Sequence, residues 1–453
     1  MFSSYLDSLK GKKVSVIGAG ISNTPLIKLL SERGVSVTVY DKRSFESFDK
    51  ELLKDFEKNG VRLVCGEGYL DRIDGDVIFR TPGVRPDAGG IPEAVKRGAV
   101  VTSEMDLFFR FCPCPITAIT GSDGKTTTST LIAELLSAQG KRVFLGGNIG
   151  APLLPRLSEM SAHDRVVVEL SSFQLFDMTR SPKTAVVTNV TPNHLDWHRG
   201  MEEYKEAKFN VLAHQTANDV TVLNYDDETT RAFAERAKGE VRFFSLAGNE
   251  DCCAFFKDGT LYLDGEPLIP ASALKIRGLH NVANFLTAAA AVKDEVTRET
   301  MASVAQSFKG VEHRLEFVRT INGADYYNDS IGSSPTRTMA GLKCFDGRII
   351  LIAGGYDKHI AFDTLGDEIC RRVSVLLLCG ATADKIETAV KASSIPEKPD
   401  ILRFDDLTAT VKAAKEVSRP GDTVLFSPAC ASFDQFPNFE VRGRFFKDTV
   451  NKL

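Results

Sequence analysis

Lys125 and Thr126 close the segment Gly121-Ser122-Asp123-Gly124, directly after the run Ile116-Thr117-Ala118-Ile119-Thr120. Glycines at this spacing let backbone N–H groups crowd around phosphate oxygens, while Lys125 adds a mobile cation and Thr126 a hydroxyl within reach of magnesium. The chemistry implied is the handling of a nucleoside triphosphate. The common phosphate-loop pattern has a glycine six positions before the lysine; this chain has Ile119 there, so the loop is a short variant. Further along, Glu169 ends the run Arg165-Val166-Val167-Val168. A carboxylate at the end of a buried strand beside such a loop suits magnesium coordination, and it also suits the capping of the turn that follows.

His194 lies in Thr191-Pro192-Asn193-His194-Leu195-Asp196-Trp197-His198, a stretch with two of the seven histidines and the only tryptophan. It is a metal-ligand candidate. The spacing His-x-Asp-x-His would also suit a zinc hydrolase, but no further His or Cys cluster supplies the remaining ligands, and a structural histidine stays open as a reading. Lys208, in the charged stretch Met201 to Phe209, reads as a solvated surface lysine. Asn281 and Asn284, three apart on one helical face, could meet an adenine edge or cap a helix.

These residues need a frame of alternating strands and helices. The first segment opens with the strand Val14-Ser15-Val16-Ile17, the turn Gly18-Ala19-Gly20, a helix to Arg33 and a strand from Val35 to Tyr40 that ends at Asp41. This is a βαβ unit with a weak dinucleotide fingerprint, Asn23 standing where a third glycine would be. The turn Thr81-Pro82-Gly83-Val84 follows the strand Asp76 to Phe79, at the carboxyl end of a sheet where such folds bind ligands, or is an ordinary Pro-Gly turn. A second segment carries the phosphate loop and strands at Arg142 to Leu145, Val166 to Leu170, Ala185 to Asn189 and Val220 to Asn224. A third carries strands at Ile349 to Ala353, Val375 to Cys379 and Thr423 to Phe426.

With 453 residues the chain suggests about three domains, divided near 104 and 310. The expected segments are 1–104, 105–310 and 311–453. A 43% apolar share and a net charge of -4 suit a water-soluble protein and give no reason to expect nucleic acid or a membrane as partner. No signal peptide or apolar span is visible, so the expectation is a cytoplasmic protein. Nine scattered cysteines form neither a disulfide framework nor a zinc spacing.

Taken together, Gly121 to Thr127, Gly146-Gly147-Asn148-Ile149-Gly150, Glu169-Leu170-Ser171-Ser172-Phe173-Gln174, Asn189 to Asp196 and His280-Asn281-Val282-Ala283-Asn284 resemble the Mur ligase family. So do Tyr327-Asn328-Asp329-Ser330 and the tail Ser427-Pro428-Ala429-Cys430-Ala431-Ser432-Phe433-Asp434. The resemblance implies an α/β chain of three domains, each a mostly parallel sheet with flanking helices: Rossmann-like, phosphate-loop ATPase and Rossmann-like. It implies an ATP-dependent, amide-forming ligase of peptidoglycan precursor synthesis, with ATP and two magnesium sites, acting on UDP-N-acetylmuramoyl-L-alanine and D-glutamate as a monomer.

Carried over by residue, it implies that Ile21, Ser22, Asp41, Arg43 and Gly83 hold the UDP part. Gly121, Ser122, Asp123, Gly124, Lys125, Thr126 and Thr127 would hold the ATP phosphates, with Thr126 and Glu169 on magnesium. Asn148, Ser171 and His194 would face the muramoyl substrate and a second metal, and Lys208 would be carbamylated and ligate that metal. Asn281 and Asn284 would contact adenine, Arg314 and Asp329 the nucleotide, and Lys358, Ser427 and Phe433 the incoming D-glutamate, the third domain swinging in as ligands bind. Where many relatives have a lysine after Asn-Asp-Ser, this chain has Ile331, leaving Arg337 and Lys358 as cations for the substrate carboxylates. Other readings of the same residues are a folylpolyglutamate synthetase, an NAD-dependent oxidoreductase using Gly18, Gly20 and Asp41, and an ATP-binding switch without chemistry.

Overall fold

The computed structural model describes residues 2–195, 197–276, 278–357 and 360–453. Among these, β-branched and aliphatic runs form three sheets, each drawn from one contiguous stretch of chain. The first sheet has five strands, all parallel, in the order Arg62–Cys65, Ser36–Asp41, Lys13–Ile17, Val77–Arg80, Val100–Thr102. Its centre is Lys13–Ile17, so the loop after that strand and the turn after its neighbour Val77–Arg80 both emerge at the carboxyl edge, where ligands bind in open parallel sheets.

The second sheet has nine strands. Seven are parallel: Ala254–Lys257, Glu240–Ser245, Val220–Asn224, Thr184–Val187, Ile116–Thr120, Arg165–Glu169 and Val143–Gly147. Ile116–Thr120 lies between Thr184–Val187 and Arg165–Glu169 and is nearly all buried, as a central parallel strand must be. The helix Lys125–Ala138 follows it and covers the sheet with Leu131, Ile132 and Leu135. Ala254–Lys257, which joins in parallel, is followed by Thr260–Leu263 and Glu266–Pro270 in an antiparallel meander that the strand pattern ending at Val220 to Asn224 omits. Asp258-Gly259 and Asp264-Gly265, all at positive φ, make its two tight turns.

The third sheet has six strands in the order Glu316–Ile321, Ala324–Asn328, Thr423–Phe426, Ile349–Ala353, Val373–Leu378, Asp400–Arg403, parallel except for its first pair. The contacts divide the chain into two compact units, one comprising residues up to Leu274 with Leu279–Gln306, the other Lys275–Gly278 with Ser307–Leu453. The first unit holds the five- and nine-stranded sheets, the second the six-stranded one. No helix among the described residues is long and apolar enough to cross a membrane.

Candidate active site

The phosphate loop is fixed by its neighbours. Gly121 has φ 147° and a Cβ there would collide with the Thr188 hydroxyl; Gly124, at φ 79°, leaves no room for a side chain against Asn284 Oδ1. Thr188 Oγ1 donates to Asp123 O at 2.6 Å, Asn189 Oδ1 accepts from Asp123 N at 2.9 Å, and Ser122 N donates to Asn189 O at 2.9 Å. The residues Thr188 and Asn189 after the strand Thr184–Val187 therefore fix the shape of the loop, in which Asp123 is exposed. The helix that starts at Lys125 points its N-terminal amides into the loop.

Lys125 folds back over this loop, its Nζ donating to Gly121 O and Ser122 O, both at 2.9 Å. Thr126 Oγ1 donates to Glu169 Oε2 at 2.7 Å, and the other oxygen of Glu169 accepts from Asn148 Nδ2 at 2.9 Å. The hydroxyl and carboxylate are thus together although 43 residues separate them. They are the hard oxygen donors a divalent cation takes.

Lys208 is not a solvated lysine. It is 2% exposed, and its Nζ donates to Gly121 O at 2.7 Å. The helix Met201–Ala213 presents Tyr204, Ala207, Lys208 and Val211 inward despite its charged composition, and Lys208 lies on that buried face. Tyr204 packs beside it, its ring 4.7 Å from Lys208 Nζ and its hydroxyl 2.9 Å from Ser122 Oγ. Burial, and after it the Lys125 charge, hold the amine well below the usual lysine range, which favours the uncharged, nucleophilic form.

His194 is exposed and sits at φ 54°. Its carbonyl accepts from Trp197 N and His198 N at 3.1 and 3.0 Å, and its ring packs edge-on to Phe173 at 4.8 Å. His198, the neighbouring histidine, is the buried one: Nε2 lies 2.9 Å from Ser172 Oγ, and burial lowers its pKa, keeping the ring neutral. Ser171 caps the helix that follows Glu169, exchanging hydrogen bonds with Gln174 in a capping box. Asn284 is buried, its Oδ1 accepting from Thr128 Oγ1 at 3.3 Å and its Nδ2 donating to Asn281 Oδ1 at 3.1 Å. Among the described residues no group of three or more His, Cys, Asp or Glu clusters as a ready-made metal centre.

In the first sheet, Asp41 accepts from Ala19 N at 2.9 Å and grips Arg43 through Nε at 3.0 Å and Nη2 at 2.8 Å. These hydrogen bonds hold its carboxyl below the usual carboxylate range against a burial penalty that acts the other way. Asn23 Nδ2 donates to Ile17 O and Gly18 O, both at 3.0 Å, and so fills the turn where a third glycine would leave space. Ile21 is 81% exposed beside this turn, and Ser22 is half-buried at the helix start. Gly83 O accepts from Trp197 Nε1 at 3.0 Å, which joins the second turn of this sheet to the His194 loop.

In the second unit, Asp329 is buried and accepts from Ser427 Oγ at 2.7 Å and Leu315 N at 3.3 Å. Burial pushes its carboxyl up to about 6, with Arg314 and Arg337 acting against that rise. Ser427 is fully buried and also lies 2.8 Å from Thr338 Oγ1, so Asp329 and Ser427 form one polar cluster. Phe433 is 63% exposed and packs edge-on to Tyr356. Lys358 lies outside the described residues. The contributions of Thr188, Tyr204 and His198 were not legible as roles, because each acts through a contact made far along the chain.

A parallel sheet whose central strand empties into a lysine-bearing phosphate loop, with a hydroxyl, a carboxylate and a buried amine gathered on it, defines a nucleotide-dependent phosphate-loop protein. The chain belongs to the Mur ligase family: residues 119–292 match the Mur ligase middle domain and residues 313–430 the Mur ligase, glutamate ligase domain. The UDP-N-acetylmuramoylalanine--D-glutamate ligase of Clostridium botulinum is 47% identical over 455 residues, an alignment that covers the whole of this chain and 99% of that relative. The ligase of the same name from Acetivibrio thermocellus is 50% identical over 462 residues, covering 99% of this chain and 98% of the relative. Among solved structures, the UDP-N-acetylmuramate-alanine ligase of Thermotoga maritima matches with a TM-score of 0.59 at 17% identity, over 97% of this chain and 99% of the other. The MurF ligase of Thermotoga maritima in complex with ADP matches with a TM-score of 0.57 at 17% identity, over 99% and 97%. At such identity the structural likeness is one of fold.

Proposed function

We infer that the protein is an ATP-dependent ligase that joins D-glutamate to UDP-N-acetylmuramoyl-L-alanine in cytoplasmic peptidoglycan precursor synthesis. The observation that carries this reading is the end-to-end likeness, at 47% to 50% identity, to ligases named for that reaction. Residues 1–104 take the UDP end through Ile21, Ser22, Asp41, Arg43 and Gly83, residues 105–310 take ATP, and residues 311–453 take the amino acid through Ser427, Phe433 and Lys358. Arg337, whose Nη1 lies 3.4 Å from Ile331 O, stands beside the position where many relatives carry a lysine and supplies a cation for the carboxylates.

The α-carboxylate of the L-alanyl group attacks the γ-phosphorus of ATP, forming an acyl phosphate and releasing ADP. The D-glutamate amine then attacks the activated carbonyl and loses a proton, and the tetrahedral species collapses with departure of phosphate. Lys125 and the loop amides hold the polyphosphate and neutralise charge as the γ-phosphoryl group moves. Thr126 Oγ1 and Glu169 Oε2, 2.7 Å apart, fit a magnesium ion, which when bound screens the repulsion between carboxylate and polyphosphate.

Lys208, in which burial favours the uncharged amine, is suited to take up carbon dioxide as a carbamate, and the nearby Lys125 charge would stabilise the resulting anion. With His194, that carbamate would supply the donors of a second cation site. The test is phosphate release from ATP in the presence of UDP-N-acetylmuramoyl-L-alanine and a panel of amino acids. Stimulation by D-glutamate is expected; stimulation by a different amino acid, or by none, contradicts the assignment.

A further inference from the structure

The turn that follows the fourth strand of the first sheet is tied to the His194 loop by an ionic clamp that the reaction described above does not use. Arg85 is its centre. Its two terminal nitrogens each donate to a different oxygen of Glu203 at 2.9 Å, and Nη1 also donates to Trp197 O at 2.8 Å. On the other side Nε donates to Asp87 Oδ1 at 3.0 Å. The guanidinium lies over the Trp197 ring at 4.8 Å and the Phe176 ring at 5.3 Å, which shields it from water.

The clamp is closed from both ends. Glu203 Oε2 also accepts from Arg199 N at 2.7 Å, Arg199 Nη2 donates to Asp87 at 2.7 Å, and Trp197 Nε1 donates to Gly83 O at 3.0 Å. The same carboxylate lies 3.6 Å from the otherwise unpartnered His198 Nδ1. The Arg85 hydrogen bonds draw the Glu203 carboxyl down to about 2, so it stays ionised throughout the physiological range. A planar fork gripping a carboxylate at two points fixes direction as well as distance, which a lone surface pair does not.

We propose that Arg85 and Glu203 are positioning residues that set the spacing between the Gly83 turn and the His194 loop, so that a substrate held at its diphosphate end presents its other end to the reacting groups. This rests on the ligase reading, in which one substrate spans both places. A displacement of reacting groups by about an ångström costs up to about a hundredfold in rate, which gives such a clamp a kinetic role separate from stability.

The experiment compares Arg85→Met and the isosteric Glu203→Gln with the wild type, measuring the KM of each substrate, kcat, and the Kd of UDP alone and of UDP-N-acetylmuramoyl-L-alanine. On the ligase reading, UDP alone would reach only the first-sheet side of the clamp. The expected result is a UDP Kd unchanged within about twofold, a Kd and KM for the full substrate raised about tenfold, a kcat lowered by up to about a hundredfold, and KM values for ATP and D-glutamate unchanged. Arg85→Lys, which keeps the charge and loses the fork, should fall between wild type and Arg85→Met. Equal weakening of UDP and the full substrate would mean local damage to the turn and would overturn the proposal, as would unchanged kinetics in both variants. A wild type without D-glutamate-dependent phosphate release would instead remove the ligase reading, a failure told apart because it needs no variant.

Discussion

Two glycine loops leave the carboxyl ends of central parallel strands in this molecule, one at Gly18 to Asn23 and one at Gly121 to Thr128, and they are furnished differently. The first is closed by its own side chains: Asn23 fills the turn, and Asp41 is taken up by Ala19 N and by Arg43. The second carries Lys125, a hydroxyl facing a carboxylate, and a buried amine hydrogen-bonded to the loop itself. The backbone device is shared, and it is enough to bind a phosphate. Transfer of a phosphoryl group needs in addition positive charge on the phosphates and hard oxygen donors for a cation, which Lys125, Thr126 and Glu169 bring to the second loop, whereas the carboxylate and cation of the first, Asp41 and Arg43, are taken up by each other. A glycine loop announces a ligand; its side chains decide whether anything happens to it.

The comparison predicts which loop moves kcat and which moves binding. The largest effect should come from Lys125→Ala: a loss of kcat of about a hundredfold to a thousandfold, with the Kd of the UDP substrate unchanged by isothermal titration. If the UDP substrate were lost together with turnover, the division of labour between the loops would be wrong. Next, Asp41→Ala should raise the KM of the UDP substrate about tenfold and leave kcat at saturation intact, since it removes two ties of the first loop and touches no reacting group.

Lys208→Met should abolish uptake of label from isotopically labelled bicarbonate and most of the activity, without lowering the melting temperature at neutral pH. The sign follows from burial. A lysine whose folded pKa lies below its unfolded value binds fewer protons when folded, so it costs stability below that window and stability rises with pH across it. Replacing it by an apolar chain relieves that cost, and a marked fall in melting temperature would contradict the account.

The smallest effect on turnover chemistry and the clearest on pH belongs to the second unit. Asp329 has its carboxyl pushed up to about 6, above an ordinary value of 3.8, so its contribution to stability is complete below about pH 4 and is lost as pH rises through about 6. Asp329→Asn should therefore gain stability relative to wild type between those values, by up to about 3 kcal/mol, and hold a constant difference above them. Chemical denaturation at several pH values checks this, and a pH-independent difference would show that burial does not govern the group.

The loop lysine, its threonine and Glu169 were readable because strand, glycine and charge recur at short range along the chain. Lys208 was not, because a helix with four charges in its first six residues does not show which face is buried until the sheet beneath it is known. The Arg85 and Glu203 pair, 118 residues apart, leaves no local trace at all. The antiparallel meander from Ala254–Lys257 to Glu266–Pro270 is a different case. Its two Asp-Gly turns are a short-range hairpin signal, but the strands are four to five residues long and carry Lys, Glu and Pro that break the apolar pattern.

The claim that the second loop turns ATP binding into carboxylate activation is tested most directly by following oxygen. UDP-N-acetylmuramoyl-L-alanine labelled with heavy oxygen in its terminal carboxylate should pass one labelled atom to the phosphate released in the presence of D-glutamate, because the carboxylate oxygen that attacks phosphorus leaves with it. Unlabelled phosphate would mean that water attacks ATP, and the account of this site would be wrong.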